Sequence, residues 1–241
     1  MREENVNKDL VNVDPVNSDG SKEELNNITR DSVSLVAYDR YVKRLIDIIL
    51  SGVGILICAI PLAIIAIIIK IDSPGPVIFK QKRVGINKTH FQIMKFRSMY
   101  VDDSFKYIPT HLLKDPEARI TKVGKFLRKT SLDELPQLFN IFKGDMAIVG
   151  PRPALWNQFD LIAERDKYGA NNVRPGLTGW AQINGRDELE IDIKAKLDGE
   201  YIEKESLWFD IKCFLGTIVS VAKSDGVVEG GTNQMVKESD K

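Results

Sequence analysis

Hydrophobic and polar positions divide the chain into distinct stretches. Residues 1–37 mix Asn, Asp, Ser, Glu and Val with no sustained period and are expected to form a disordered tail. Their acidic start does not read as a signal peptide. From Ile48 to Ile69 the pattern becomes continuous: 22 uncharged residues, ten of them Ile. A helix of that length is about 33 Å long, enough to cross a hydrocarbon core. No core helix of a small domain needs apolar residues on every face, so a membrane segment is expected. Asp72-Ser73-Pro74-Gly75-Pro76 ends it with turn residues. Val77-Ile78-Phe79 and Phe91-Gln92-Ile93-Met94 then predict short strands joined by a turn at Gly85-Ile86-Asn87-Lys88, a small hairpin.

Residues 102–118 are polar and read as loop. Ile120, Val123, Phe126 and Leu127 recur at helical spacing among Lys122, Lys125, Arg128 and Lys129, a basic amphipathic helix that belongs either to the fold surface or to a membrane interface. Leu135, Leu138, Phe139 and Phe142 continue an apolar face as far as Gly144, a C-cap. Residues 187–206 are charged and helical in character. Leu207 to Ala222 predicts another amphipathic helix, and its Trp208 suits a bilayer interface as well as it suits packing within the fold. The last residues are expected to be a second disordered tail.

Charge changes the picture of the apolar segment. Lys+Arg and Asp+Glu are equal at 34 each, so the net balance points to no nucleic-acid partner. The distribution is uneven. Arg40, Lys43 and Arg44 precede the segment, and Lys70, Lys80, Lys82, Arg83, Lys88, Lys95 and Arg97 follow it against the single acid Asp72. The positive-inside rule wants both flanks in the cytoplasm. A helix bent at Pro61 and returning to its own face satisfies that; a tilted single span satisfies it only for the richer flank. A re-entrant hairpin is therefore expected. The two cysteines, Cys58 and Cys213, form no metal pattern or disulfide framework, and His90 and His111 have no metal-type spacing.

Candidate chemistry centres on Ser131-Leu132-Asp133-Glu134-Leu135-Pro136-Gln137-Leu138. Ser131 and Glu134 have the spacing of a capping box, which would put both carboxylates in a helix's first turn, favoured by the macrodipole. An Asp held ionised there suits a nucleophile, and the adjacent Glu could hold a divalent metal. An ordinary helix start gives the same pattern. Lys95-Phe96-Arg97 offers two cations on one face, either a solvated edge or a phosphate contact. Val149-Gly150-Pro151-Arg152-Pro153 presents one guanidinium from a turn stiffened by two prolines. The segment from Arg174 to Arg186 gathers three glycines, two arginines, a Trp and two amides, as a ligand loop would. Neither nucleotide-binding Gly fingerprint occurs.

Taken in order, these motifs resemble one family. They are Lys43-Arg44-Leu45-Ile46-Asp47, Pro61, Gly75-Pro76-Val77-Ile78-Phe79-Lys80-Gln81, Lys95 to Met99, Leu127 to Leu138, Val149 to Pro153 and Arg174 to Arg186. Over about residues 38–225 the chain is similar to the bacterial sugar transferases, the monotopic phosphoglycosyl transferases acting on undecaprenyl phosphate, and looks like their minimal form. The resemblance implies transfer of sugar-1-phosphate from a UDP-sugar to undecaprenyl phosphate with release of UMP, beginning capsule, exopolysaccharide or glycoprotein glycan assembly. It implies Asp133 as the attacking carboxylate, Glu134 as the magnesium ligand, and phosphate-binding cations at Lys95, Arg128 and Arg152, with Arg97, Arg174 and Arg186 as further candidates. The sugar is open among galactose, glucose and an N-acetylated amino sugar, with galactose a weak preference, and a homodimer is left open.

The expected fold class is α+β. A re-entrant membrane helix-break-helix covers 38–71. A small, largely helical cytosolic domain with a short β-hairpin and interfacial amphipathic helices covers 72–225, and a tail covers 226–241. The expected location is the cytoplasmic face of the cell membrane. Two rivals are a membrane-anchored scaffold without chemistry and a membrane phosphatase or hydrolase using the same Asp133.

Overall fold

A computed structural model describes residues 38–101, 117–185 and 189–223. The two expected tails, most of the 102–118 loop and Arg186 lie outside the described residues. Within them the fold mixes helix and strand. A π-helical turn, Tyr38–Lys43, leads into the long helix α1 (Arg44–Asp72). There follow β1 (Ile78–Val84), β2 (His90–Phe96), α2 (Lys122–Lys129), α3 (Gln137–Lys143) and β3 (Ala147–Val149). The chain continues through α4 (Phe159–Asp166), β4 (Gly176–Thr178), α5 (Trp180–Ile183), α6 (Ile191–Lys204) and α7 (Leu207–Lys223).

The helix from Tyr41 to Asp72 is long and apolar enough to cross a membrane, and only 6% of its most apolar stretch is buried within the protein. Leu56, Ile57 and Ile60 are each more than 70% exposed, which rules out a soluble core helix. The break expected at Pro61 does not interrupt the element, which runs as one 29-residue α-helix through it. A single proline removes one backbone donor and crowds one carbonyl, a local cost that a long apolar helix can absorb without ending.

Both ends of α1 dock on the rest of the protein. At the start, Arg44 donates to the carbonyls of Ile141 and Phe142 at 2.6 and 2.8 Å, completing the C-terminus of α3. Asp47 accepts the Ile148 amide at 2.9 Å, and buried Ser51 donates back to the Asp47 carbonyl. Lys43 lies in a buried cluster with Asp210, Tyr201 and Tyr38, which ties the helix start to α6 and α7. At the far end, Leu62, Ile65, Ala66 and Ile69 pack with Phe96, Leu127, Leu132 and Leu135.

The C-terminus of α1 is closed by Arg97. Its guanidinium, 4% exposed, donates to the carbonyls of Ile69, Ser73 and Pro74 and to the Ser73 hydroxyl. Gly75 allows this approach. It has φ 121°, and a Cβ there would lie 2.3 Å from an Arg97 nitrogen. The expectation that Arg97 contacts phosphate is therefore corrected: both of its terminal nitrogens donate to groups at a helix end.

The hairpin forms as expected but is longer, pairing Ile78 with Phe96 through to Val84 with His90. A second, parallel pair, β3 with β4, has no sequence precedent in the reading above. It joins Ala147 to Gly176 and Val149 to Thr178 and so brings the two turn-rich motifs together. Gly176 is required there, because a Cβ would lie 2.1 Å from the Gly150 nitrogen.

Candidate active site

The carboxylate pair sits in a 3₁₀ turn, Leu132–Glu134, rather than in the first turn of an α-helix. Ser131 adopts a left-handed conformation (φ 55°) and makes no side-chain cap. An N-cap residue needs extended backbone to aim its oxygen at the amides ahead, so the expected capping box does not form. The Glu134 amide instead donates to the Ser131 carbonyl at 3.2 Å. Pro136, lacking an amide hydrogen, becomes the residue before α3, which starts at Gln137. Leu132 and Leu135 anchor the turn in the apolar cluster under α1.

Three elements deliver cations to the pair. Lys95, near the end of β2, donates to Glu134 Oε1 at 2.6 Å. Arg152, in the turn after β3, donates to the same oxygen at 2.9 Å. Arg128, in the last turn of α2, acts on Asp133 through its charge. Burial alone would raise the Glu134 carboxyl. The charges of Arg152 and Lys95 and their two hydrogen bonds outweigh it and hold Glu134 well below the usual carboxylate range.

Asp133 is in the opposite state. It is buried and accepts no hydrogen bond from the described residues. Burial raises its carboxyl. Lys95 opposes that, the Glu134 charge adds to it, and Arg128 and Arg152 oppose it further. The expectation that a helix dipole keeps Asp133 ionised is thus replaced: desolvation dominates, and side-chain cations do the offsetting. The two neighbours are pushed apart, one carboxylate tightly neutralised and one kept basic.

Of the other sequence candidates, Arg97 is turned into the α1 cap. The Arg174 charge bears on Arg44, the residue that closes the end of α3. Arg186 lies outside the described residues. Sequence reasoning missed Arg165 and Asp198, a buried ion pair between α4 and α6 that also touches the Arg152 turn. Charged residues 33 positions apart on two helices carry no local signal of their pairing.

Among the described residues no group of three or more His, Cys, Asp or Glu could cage a metal ion. The donor set does fit magnesium as proteins commonly hold it, through one or two carboxylates with substrate phosphates and water completing the shell. Glu134 is the residue that would hold it.

A family model described as bacterial sugar transferase matches residues 38–224. The UDP-glucose:undecaprenyl-phosphate glucose-1-phosphate transferase of Escherichia coli (strain K12) is 42% identical over 197 residues, 76% of this chain and 41% of that protein. The undecaprenyl-phosphate galactose phosphotransferase of Salmonella typhimurium is 39% identical over 201 residues, 78% of this chain and 42% of that protein. The uncharacterized sugar transferase EpsL of Bacillus subtilis is 38% identical over 197 residues, 81% of this chain and 94% of that protein. The chain thus spans about two fifths of the longer relatives and nearly the whole of EpsL. A match that runs from the π-helical turn through α7, and so includes the carboxylate turn and every cation around it, means that the chain belongs to the bacterial sugar transferase family.

Proposed function

We propose that the protein transfers sugar-1-phosphate from a UDP-sugar to undecaprenyl phosphate at the cytoplasmic face of the membrane, through a covalent intermediate on Asp133. The observation that carries this reading is the contrast within the pair. Glu134 is neutralised by Lys95 and Arg152 and is a poor nucleophile, whereas Asp133 is buried, accepts no hydrogen bond from the described residues, and has its carboxyl raised. A carboxylate of raised pKa is the better nucleophile once ionised.

In the first step an Asp133 oxygen bonds to the β-phosphorus of the UDP-sugar. The bond from that phosphorus to the bridging oxygen breaks, and UMP departs. In the second step a phosphate oxygen of undecaprenyl phosphate attacks the same phosphorus, and the Asp133 carboxylate leaves. Lys95, Arg128 and Arg152 neutralise the oxygens that gain charge as the bonds change, the principal demand of phosphoryl transfer. Magnesium held at Glu134 would supply further charge neutralisation for the pyrophosphate. The relatives' names include both glucose and galactose, so galactose remains a proposal with no support beyond the sequence preference.

The docking of both ends of α1 on the same domain supports the re-entrant reading, with the bend placed at Pro61 inside a helix that stays continuous. Its start is tied through polar side chains to α3, β3, α6 and α7, and its last turns to β2, α2 and the carboxylate turn. A span perpendicular to the bilayer would draw the segment from Leu132 to Phe142, with the ionised Glu134, through hydrocarbon, at a cost of several kcal/mol. Both ends on one face, with the exposed Lys70 toward the headgroups, avoids it.

Three outcomes are expected. Asp133→Asn lowers UMP release from UDP-sugar by on the order of a thousandfold or more, whether undecaprenyl phosphate or water is the acceptor; near wild-type release sinks the proposal, and free sugar phosphate as the only product favours hydrolysis. The rate falls on the acid side as Asp133 takes its proton. Because Lys95 lowers the Asp133 carboxyl, Lys95→Met moves that acid limb of the pH–rate profile to higher pH, and an unmoved limb contradicts the assignment. For topology, single cysteines at Arg40 and Asp72, in a background lacking Cys58 and Cys213, are both shielded from a membrane-impermeant maleimide added outside intact cells; labelling of either one argues for a span.

A further inference from the structure

The turn that presents Arg152 is held through its carbonyls from three parts of the fold, β1, β4 and α4. The Gly176 amide donates to the Pro151 carbonyl at 2.9 Å and the Val84 amide to the Ala154 carbonyl at 3.0 Å. Arg83, on β1, donates to the Pro153 carbonyl at 3.0 Å. The Arg152 carbonyl itself accepts from Arg165 Nη1 at 2.9 Å. Arg165 comes from α4 and is 3% exposed.

Its guanidinium is fixed from behind by Asp198 of α6, which is 1% exposed. One carboxylate oxygen, Asp198 Oδ2, accepts from Nε at 2.8 Å and lies 2.6 Å from Nη2 as an ion pair. Two contacts to one side of the guanidinium fix its plane and leave Nη1 directed at the Arg152 carbonyl. A buried ion pair is seldom more stabilising than apolar packing of the same size. Its usefulness here lies in orientation: Asp198 aims Arg165, Arg165 pins the backbone of residue 152, and from that backbone the Arg152 side chain reaches Glu134.

We infer that Arg165, oriented by Asp198, is a positioning residue for Arg152, setting the reach of its guanidinium to Glu134 and to the phosphates of the donor. The inference rests on the reading above that Arg152 binds those phosphates. A misplacement of about 1 Å at such a group is enough to cost as much as a hundredfold in rate.

The test is a double-mutant cycle on the full chain in detergent, following UMP release with UDP-sugar and undecaprenyl phosphate. Arg165→Lys keeps a positive charge beside Asp198 and loses the Nη1 donation. It is expected to lower kcat/KM about tenfold in the wild-type background, the usual effect of removing a supporting partner. In an Arg152→Ala background the same change is expected to cost less than about twofold, because no guanidinium remains to be aimed. Equal losses in both backgrounds, or an Arg152→Ala variant with wild-type kinetics, overturn the inference.

If Arg165→Lys does not fold, the pair Arg165→Met with Asp198→Leu removes both charges together and is expected to show the same dependence on Arg152. Hydrogen–deuterium exchange supplies an arm that needs no turnover. The amides of Arg152, Ala154 and Leu155 are expected to exchange faster in Arg165→Lys than in wild type, and unchanged exchange overturns the inference. A wild-type protein that releases no UMP from any UDP-sugar defeats the transferase reading instead, while the exchange arm still decides whether Arg165 holds the turn.

Discussion

The two cations on a single oxygen of Glu134 are the contact on which the rest of the site depends. Lys95 arrives from a strand, Arg152 from a proline-bounded turn and Glu134 from a 3₁₀ turn, and none is close to another in sequence. Their meeting requires that three separate pieces of backbone be held in register. Glu134 is 18% exposed and Lys95 19%, so that pair is little screened; Arg152, at 38%, is more open to solvent and more dependent on its backbone for position. The same meeting sets the chemistry. Both cations go to Glu134, the neighbouring Asp133 accepts no hydrogen bond from the described residues, and burial raises its carboxyl.

Holding the three pieces in register falls to α1 as much as to the sheets. Leu132 and Leu135 pin the carboxylate turn against the last turns of the helix, alongside Phe96 at the end of β2. Asp47 fixes β3, and thereby the start of the Arg152 turn, from the first turn of the same helix. The helix that is long and apolar enough to cross a membrane is therefore also the spine against which the site is assembled. This explains why polar groups such as Lys43, Asp47 and Ser51 are buried at its start, where a simple anchor needs none.

Much of this was legible in the sequence because it depends on local pattern. The uncharged run of 48–69, the hairpin turn at Gly85 to Lys88, the amphipathic helices and the rigid Arg152 turn all follow from periodicity or turn chemistry. Lys95, Arg128 and Arg152 were nominated by the family resemblance, and their charges act on the pair. The failures have a common cause, which is that a residue's partner is set by tertiary structure. A cation leaving a strand meets phosphate or a helix C-terminus equally well, and Arg97 meets the latter. Ser131 carries the spacing of a cap yet takes a left-handed backbone. The parallel pair of β3 and β4 is three residues long on each side, too short for any period to reveal. The link from Asp198 through Arg165 to the Arg152 carbonyl joins three elements that nothing in the sequence aligns.

The central claim is that Asp133 becomes covalently bonded to the donor's phosphorus before the lipid acceptor takes part. Intact-protein and peptide mass spectrometry on the purified chain, mixed with UDP-sugar and magnesium in the absence of undecaprenyl phosphate, reads this directly. The account predicts one equivalent of UMP released and one sugar phosphate carried on the peptide containing Asp133, discharged when undecaprenyl phosphate is added. Unmodified protein that releases UMP only when both substrates are present would contradict it.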